Sequence, residues 1–250
     1  MLRSAHYMTG HRIKAVDGDI GKVADWYFDD GSWAVRYLVA DTGYWLPGRL
    51  VLLAPSVVAS ADQDEKVIEV GLTRQQIKES PPADSDQPVS RRFEKELQQH
   101  YGWPAYWTAP AGFIAPTEMD VMGPGIIPAE TDEQDIGGDP HLRSAKELSG
   151  YNINATDGGI GSVQDLILDD EDWLVRYVLV NTKPWWPGGH VLVDVGRVQK
   201  VSWTDRTVSV DLTREQVRHS PPYDASRPMN REFQQKLYDY YRGLGPGAGR

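Results

Sequence analysis

The chain contains the same sequence twice. The second copy follows the first without a gap at an offset of 140 residues. The match is carried by Leu-Arg-Ser-Ala from residues 2 and 142, Asp-Gly-x-Ile-Gly from 17 and 157, Asp-Asp-x-x-Trp-x-Val-Arg-Tyr from 29 and 169, Leu-Thr-Arg from 72 and 212, and Ser-Pro-Pro from 80 and 220. A period as long as a whole domain predicts a tandem pair of domains, because solenoid repeats are only about 20 to 45 residues long.

The duplication divides the chain into four predicted segments. Repeat 1 spans residues 1–101, an acidic Pro/Gly-rich linker spans 102–140, repeat 2 spans 141–242, and a flexible tail spans 243–250. The net charge is −10, and the linker carries seven Asp or Glu residues and neither Lys nor Arg. Since the repeats themselves are near neutral, they lack the basic stripe that binds phosphate backbones, and we expect no nucleic acid as partner.

The residue inventory narrows the chemistry and the location. The chain has no cysteine, which excludes disulfides, thiolate metal sites and cysteine nucleophiles. Its sequence shows neither the apolar stretch of a signal peptide nor the roughly 20 apolar residues that span a bilayer. We therefore expect a soluble, cytoplasmic protein.

Short apolar runs separated by turn signals follow one another in each repeat. The predicted strands of repeat 1 are Ile13–Val16, Gly21–Phe28, Trp33–Ala40, Leu50–Leu53, Val57–Ser60 and Val67–Val70, and those of repeat 2 include Leu166–Leu168, Trp173–Val180, Val191–Val193, Val198–Trp203 and Thr207–Val210. Asp-Gly and Pro-Gly pairs between such runs are typical of hairpin turns. Because closing a sheet removes exposed strand edges, the pattern predicts a mainly β fold of two small antiparallel barrels.

Two helices are predicted after the last strand of each repeat. Thr73 and its counterpart Thr213 each stand three residues before a Gln, the spacing of a capping box, and Ser-Pro-Pro ends the short helix that follows. An amphipathic C-terminal helix begins at about Ser90, and its counterpart in repeat 2 has the same pattern. Its apolar stripe, made of Phe93, Leu97 and Tyr101 and matched by Phe233, Leu237 and Tyr241, packs on its own barrel or on the neighbouring one.

The recurring motifs are similar to those of a bacterial PRC-barrel domain, and both repeats carry the set. The family includes the cytoplasmic domain of the photosynthetic reaction centre H subunit, which packs on membrane-embedded subunits and supports proton delivery to a quinone. It also includes a domain of a ribosome-maturation factor that binds a ribosomal protein. We expect neither the membrane helix of the former nor the N-terminal domain of the latter in this protein, so the sequence most resembles stand-alone members without an assigned function.

Recurring acidic and basic residues are the first site candidates. The acidic set is Asp17, Asp25, Asp29 and Asp30, matched by Asp157, Asp165, Asp169 and Asp170. Such carboxylates could bind a hard cation or relay protons, but we favour hydrogen bonds to nearby amides because the residues flank predicted turns. Arg36 and Arg176 lie in mid-strand, where we expect ion pairs with Asp25 and Asp165 in preference to an anion site.

Four tryptophans are the candidates for contact with a partner. Trp45 and Trp185 lie in a predicted turn, where an exposed aromatic residue either marks a contact surface or covers the end of the barrel. Trp33 and Trp173 begin a predicted strand and favour the core more strongly. All four positions are shared by the repeats, which makes them stronger candidates than the unmatched tryptophans.

Enzymatic and metal chemistry find little support in the sequence. None of the six histidines recurs at the matching position of the other repeat, so a duplicated histidine site for a metal or a general base is excluded. No motif pairs a nucleophile with a base or cradles a phosphate. We therefore predict no catalytic residue, no metal site and no cofactor.

These observations leave two functional hypotheses. The first is a non-catalytic scaffold or adaptor that binds a protein partner or a membrane-associated complex through the tryptophan-bearing turns and the C-terminal helices. The second, implied by the resemblance, is an accessory to photosynthetic or respiratory electron transfer that assists proton transfer or complex assembly. Self-association into a homodimer is compatible with either hypothesis.

Overall fold

The structure is a computed structural model that describes residues 1–43, 45–46, 49–62, 64–81, 83, 89, 91–103, 141–183, 189–224 and 229–245. Most of the predicted linker, the Trp185 turn and the last five residues of the predicted tail lie outside the described residues. Because of these gaps, the structure leaves the predicted domain boundaries as a prediction.

Repeat 1 is built from seven strands and three α-helices in its described part. In chain order they are β1 Leu2–Ser4, α1 Ala5–Met8, β2 Arg12–Ala15, β3 Gly18–Asp29, β4 Val35–Asp41, β5 Leu50–Leu53, β6 Val58–Asp62, β7 Val67–Val70, α2 Arg74–Glu79 and α3 Arg91–Tyr101. Thr73 and Gln76 form the predicted capping box, with both hydrogen bonds present. The helix after it ends before Ser80, as Ser-Pro-Pro predicts.

Repeat 2 follows the same order within the described residues. Its elements are β8 Leu142–Ser144, α4 Ala145–Leu148, β9 Asn152–Ala155, β10 Gly158–Asp169, β11 Val175–Asn181, β12 His190–Asp194, β13 Val198–Ser202, β14 Thr207–Val210, α5 Arg214–His219 and α6 Arg231–Gly243. The fold is therefore mainly β, with a few helices.

The strands form two seven-stranded sheets, one centred on each repeat. The order in the first sheet is β5-β4-β3-β2-β7-β6, and the order in the second is β12-β11-β10-β9-β14-β13. Most pairs are antiparallel as predicted, but β2 pairs with β7 and β9 with β14 in parallel. The purely antiparallel prediction was wrong for these two pairs, because alternation of apolar residues indicates a strand but not the direction of its neighbour.

The seventh strand of each sheet comes from the other repeat. β1 of repeat 1 pairs with β10 of repeat 2, and β8 of repeat 2 pairs with β3 of repeat 1. The N-terminal strand of each repeat is thus exchanged, and the two repeats are joined through backbone hydrogen bonds.

A shared core supports this arrangement. One cluster of buried apolar side chains contains residues of both repeats, among them Trp26, Phe28 and Ile167. A smaller cluster lies against α3, where Leu97 and Tyr37 of repeat 1 pack with Leu142 from the exchanged strand of repeat 2. Leu97 and its counterpart Leu237 are fully buried, and the cluster around Leu97 consists mainly of residues of its own repeat.

Candidate functional site: the junction between the repeats

The junction is formed by two equivalent strand pairs. Ser4 lies opposite Ile167 and Leu2 opposite Asp169, while Ser144 lies opposite Tyr27 and Leu142 opposite Asp29. Along the same side of β3, the strand β2 of repeat 1 covers only residues 18–22. The exchanged strand therefore covers the far end of that edge, which would otherwise expose unpaired amides and carbonyls.

A recurring aspartate, partly buried in repeat 1 and buried in repeat 2, holds the exchanged segment of the other repeat. Oδ2 of Asp25 accepts a hydrogen bond from the Ser144 hydroxyl at 2.5 Å, and Oδ1 accepts one from the Lys146 amide at 3.1 Å. Asp25 stands at an irregularity of β3, where the register with β4 shifts between Val23 and Asp25. This local change of register gives the carboxylate its access to the other repeat.

Asp165 of repeat 2 holds the exchanged segment of repeat 1 in the equivalent way. It accepts hydrogen bonds from the Ser4 hydroxyl and, at 2.9 Å, from the His6 amide. Burial raises the pKa of both Asp25 and Asp165, although the hydrogen bonds from the other repeat oppose the shift. The two carboxylates are thus occupied in holding the repeats together.

The arginine in the middle of each exchanged strand forms an ion pair with the other repeat. Arg3 contacts Asp170 through Nε at 2.6 Å, and Arg143 contacts Asp30 at 3.3 Å. Asp30 also accepts a 2.8 Å hydrogen bond from the indole of Trp203, whose ring lies 4.5 Å from the Arg143 guanidinium. The recurring aspartates at positions 30 and 170 therefore join the repeats electrostatically.

Trp33 and Trp173 lie at the centre of the junction. The amide of Val35 donates to the carbonyl of Trp173 and that of Val175 to the carbonyl of Trp33, both at 2.8 Å. The two tryptophans have φ values of 60° and 56°, so the strands that were predicted to start at them begin two residues later. The ring of Trp173 stacks on Trp26 of the other repeat with 5.5 Å between centroids.

This placement bears on the predicted partner-binding role of these two tryptophans. Trp33 is 4% exposed and Trp173 is partly buried. Both contribute to the contact between repeats, which does not favour direct contact with a second protein. Their use by an external partner stays a prediction.

The other predicted site residues lie apart from the junction's centre. Arg36 contacts Asp29 at 3.3 Å instead of using Asp25, because Asp25 turns toward the other repeat. Arg176 likewise contacts Asp172 and, at 3.9 Å, Asp169. The expected pairing with Asp25 and Asp165 is therefore corrected, whereas an ion pair for each arginine is present.

The Trp45 turn has a partly buried ring. Trp45 packs against the core of the structure, and the guanidinium of Arg74 lies 4.8 Å from the ring centroid. This position agrees better with a ring that covers the end of the sheet than with a fully exposed contact. Its counterpart Trp185 lies outside the described residues.

A groove of about 940 Å³ lies beside the junction, on the side of repeat 2. It is lined by Leu2 and Trp33 from repeat 1 and by Tyr177, Arg231 and Tyr238 among residues from repeat 2. The strand exchange creates this composite wall, since residues of both repeats meet there. Tyr238 is 51% exposed, a large value for an aromatic residue.

Repeat 1 differs at the position that corresponds to this groove. There the hydroxyl of Tyr37 donates to the buried carboxylate of Glu94 on α3, at 3.0 Å. Repeat 2 has Gln234 in place of Glu94, and its amide donates to the Met229 carbonyl. Burial and the charge of Asp194 raise the pKa of Tyr177 to about 12, so its hydroxyl stays protonated beside the groove.

Sequence reasoning missed the exchanged strands. Leu-Arg-Ser-Ala was recognised as a recurring motif but was not assigned as a strand, because three residues are too few to show alternation. The available signal was the recurrence of Ser4 at position 144 and of Asp25 at position 165. This recurrence indicates a donor and an acceptor that can form a hydrogen bond. It does not indicate whether the two groups come from the same repeat or from different repeats.

The described residues contain no group of three or more His, Asp or Glu side chains placed to hold a metal ion. Within the same part of the chain, no helix has the length and apolar character needed to cross a membrane. No curated protein matches the sequence. Residues 141–217 match the family model described as the PRC-barrel domain. Repeat 2 therefore contains a PRC-barrel domain.

Proposed function

We propose that the protein is a non-catalytic scaffold or adaptor that binds a protein partner, and that its two repeats act as one unit. The observation that carries the proposal is the composite groove beside the junction. Side chains of both repeats line it, among them Leu2 of repeat 1 and the aromatic Tyr177 and Tyr238 of repeat 2, together with charged residues such as Arg176 and Asp194. Aromatic residues next to polar ones are the composition typical of protein interfaces.

The comparison between the repeats supports a binding role for this groove. In repeat 1 the Tyr37 hydroxyl is satisfied within the chain by Glu94. In repeat 2 the corresponding Tyr177 faces the groove, and Gln234 turns toward Met229. A partner that inserts an acceptor beside Tyr177 would supply the hydrogen bond that Glu94 supplies in repeat 1.

The sheet order supports the barrel architecture that we propose. β5 and β6 lie at opposite ends of the first sheet, yet only residues 54–57 connect them. The five steps from Leu53 to Val58 span at most about 18 Å, which favours a sheet that curls until its ends approach each other. The same holds for β12 and β13, and we propose that each sheet is a small barrel in a protein that acts in the cytoplasm.

Site-specific photocrosslinking tests the binding role. A photoreactive residue replaces Tyr238 in the groove wall or Tyr7, which is similarly exposed at 48% but is not part of that wall. We expect the Tyr238 position to capture a defined cellular protein that the Tyr7 position does not capture. Equal capture at the two positions would contradict the assignment of the groove.

A second variant tests the chemistry of the groove. Gln234→Glu copies the residue of repeat 1 and is expected to bind the Tyr177 hydroxyl within the chain, so capture at Tyr238 should fall. Gln235→Glu changes charge equally on the next residue of the helix and serves as control. Equal capture by the two variants would show that the Tyr177 hydroxyl is not the group that the partner uses.

The electron-transfer alternative has weaker support. It needs carboxylates that exchange protons with a neighbouring complex, whereas the two aspartates with raised pKa, Asp25 and Asp165, hold serine and amide groups at the junction. Gentle fractionation of the cells of origin separates the hypotheses. Stoichiometric co-purification with a membrane complex would favour the alternative over the scaffold.

A further inference from the structure

We propose that the junction is homotypic, so that each repeat can also pair with a second copy of itself, and two chains can join through their exchanged N-terminal strands. The partner is a second copy of this chain. The proposal rests on the exchanged segment and the aspartates that receive it, which are the same in both repeats although Leu166 replaces Trp26, and it does not depend on the groove.

Each half of the junction is conserved between the repeats. The exchanged segment is Leu-Arg-Ser-Ala in both, and the groups that receive it are Asp25 with Asp30 in repeat 1 and Asp165 with Asp170 in repeat 2. The contacts are also equivalent, since Ser4 binds Asp165 as Ser144 binds Asp25. A repeat 2 facing another repeat 2 would therefore form Ser144–Asp165 contacts twice.

The junction is reciprocal, as the interface of a closed two-fold dimer must be. Each repeat gives a strand and receives one, and the central hydrogen bonds between Val35 and Trp173 and between Val175 and Trp33 are reciprocal. A contact in which both partners use the same surface is the interface of a two-fold dimer. Two identical repeats from different chains can form this two-fold interface in the same way as the two similar repeats do within one chain.

The linker decides which pairing is favoured. Joining two binding units raises their effective concentration to the millimolar range when the linker can span them. The intramolecular junction then dominates at low protein concentration. Cutting the linker removes that advantage and leaves the choice of partner to the junction itself.

The experiment uses the full-length protein with a protease site placed within residues 104–140. The folded protein is cut, and native mass spectrometry measures the pairs of repeat 1 with repeat 1, repeat 1 with repeat 2, and repeat 2 with repeat 2. An equal amount of uniformly labelled cut protein is added. Pairs of repeat 1 with repeat 2 in which only one member carries the label show that the halves have exchanged. The sample is warmed gently until such pairs appear.

We expect the pairs of like repeats to appear together with the mixed pair, at roughly one to two to one for equivalent junctions. The proposal would be overturned if the halves exchange between labelled and unlabelled protein but only pairs of repeat 1 with repeat 2 form. Separation of the cut protein into single repeats at micromolar concentration would also overturn it, because the junction alone would then not hold two repeats.

Two matched variants distinguish the junction from non-specific association. Asp25→Ala removes a contact twice from the repeat 1 pair, once from the mixed pair and never from the repeat 2 pair. If the contact contributes about tenfold to association, the first pair falls about 100-fold, the second about tenfold, and the third is unchanged. Asp165→Ala should reverse the order, and a loss that is equal for all pairs would contradict the assigned contacts.

Discussion

The Ser144 hydroxyl lies 2.5 Å from Oδ2 of Asp25, a residue 119 positions earlier in the chain. The second repeat is thereby held by a carboxylate of the first, and Asp165 holds Ser4 in return. Each carboxylate also accepts a hydrogen bond from a backbone amide of the short helix that follows the other repeat's exchanged strand. The recurrence of these aspartates therefore has a structural cause in the contact between the repeats.

Removing one of these carboxylates should destabilise the protein. Asp25→Ala leaves the Ser144 hydroxyl and the Lys146 amide without their acceptor, and we expect the free energy of unfolding to fall by about 2 to 3 kcal/mol. Asp25→Asn retains an oxygen acceptor and should cost about 1 kcal/mol. Urea unfolding followed by tryptophan fluorescence measures both variants.

Asp19 provides the control for this series. Its carboxylate is largely exposed and lies 3.8 Å from an exposed arginine. Asp19→Ala should change the free energy of unfolding by less than about 0.5 kcal/mol. Equal losses for Asp19→Ala and Asp25→Ala would indicate that the contact with Ser144 contributes little.

The same carboxylates give the junction a defined pH dependence. Burial raises the pKa of Asp25 and Asp165, so the folded protein binds protons at a higher pH than the unfolded chain does. These two groups therefore contribute stability at low pH, and the contribution is lost as the pH rises from their ordinary pKa of about 4 through the raised one.

The test compares the wild type with the double variant Asp25→Asn, Asp165→Asn. All other titrating groups are common to the two proteins. The difference in free energy of unfolding, wild type minus variant, should increase as the pH falls from 7 toward 4. A difference that stays constant over this range would show that the two aspartates do not titrate with raised pKa values.

Local sequence signals predicted much of the fold. The strands Leu50–Leu53 and Val67–Val70 have the predicted bounds, and the helix predicted from about Ser90 spans Arg91–Tyr101. These elements depend on the alternation of apolar and polar residues, on helix-capping side chains and on prolines that end helices. All of these signals act within a few residues. Their physical causes are therefore visible in a short stretch of sequence.

The exchange of strands has no such local cause. As a chemical group, the Ser4 hydroxyl could bind either Asp25 or Asp165, because both repeats carry an aspartate at this position. Which one it meets depends on the path of the chain between repeats. Trp33 and Trp173 were also misplaced at strand starts, since bulky residues with positive φ are rare and no adjacent residue marks them.

The stack of Trp26 on Trp173 should couple the two repeats energetically. The rings belong to different repeats and lie 5.5 Å apart with an angle of 22° between their planes. In a double-mutant cycle with Trp26→Leu, which copies Leu166 of repeat 2, and Trp173→Leu, we expect a coupling free energy of about 0.5 to 1.5 kcal/mol.

The matched cycle pairs the fully buried Trp26 with Trp45, a partly buried tryptophan of the same repeat. We expect this pair to be additive to within about 0.5 kcal/mol. A coupling between Trp26 and Trp173 no larger than that of the control would mean that the rings contribute by burial alone. Unfolding in urea at equilibrium measures all the variants.

Gly21 is the position where the fold tolerates no side chain. Its φ is 146°, and a Cβ atom would lie 2.0 Å from the carbonyl oxygen of Asp41 on the neighbouring strand. The equivalent Gly161 has the same relation to the carbonyl of Asn181. Since backbone atoms in a paired strand cannot move aside, we expect Gly21→Ala to lower the free energy of unfolding by more than about 3 kcal/mol.

Gly10 separates steric overlap from backbone strain. Its φ is 86°, but a Cβ atom there would meet nothing within 4 Å. Gly10→Ala should therefore cost only the strain of a left-handed conformation, about 1 to 2 kcal/mol. Urea unfolding of the two variants should show the larger loss for Gly21→Ala, and the reverse order would mean that β3 and β4 do not approach as closely as the carbonyl of Asp41 requires.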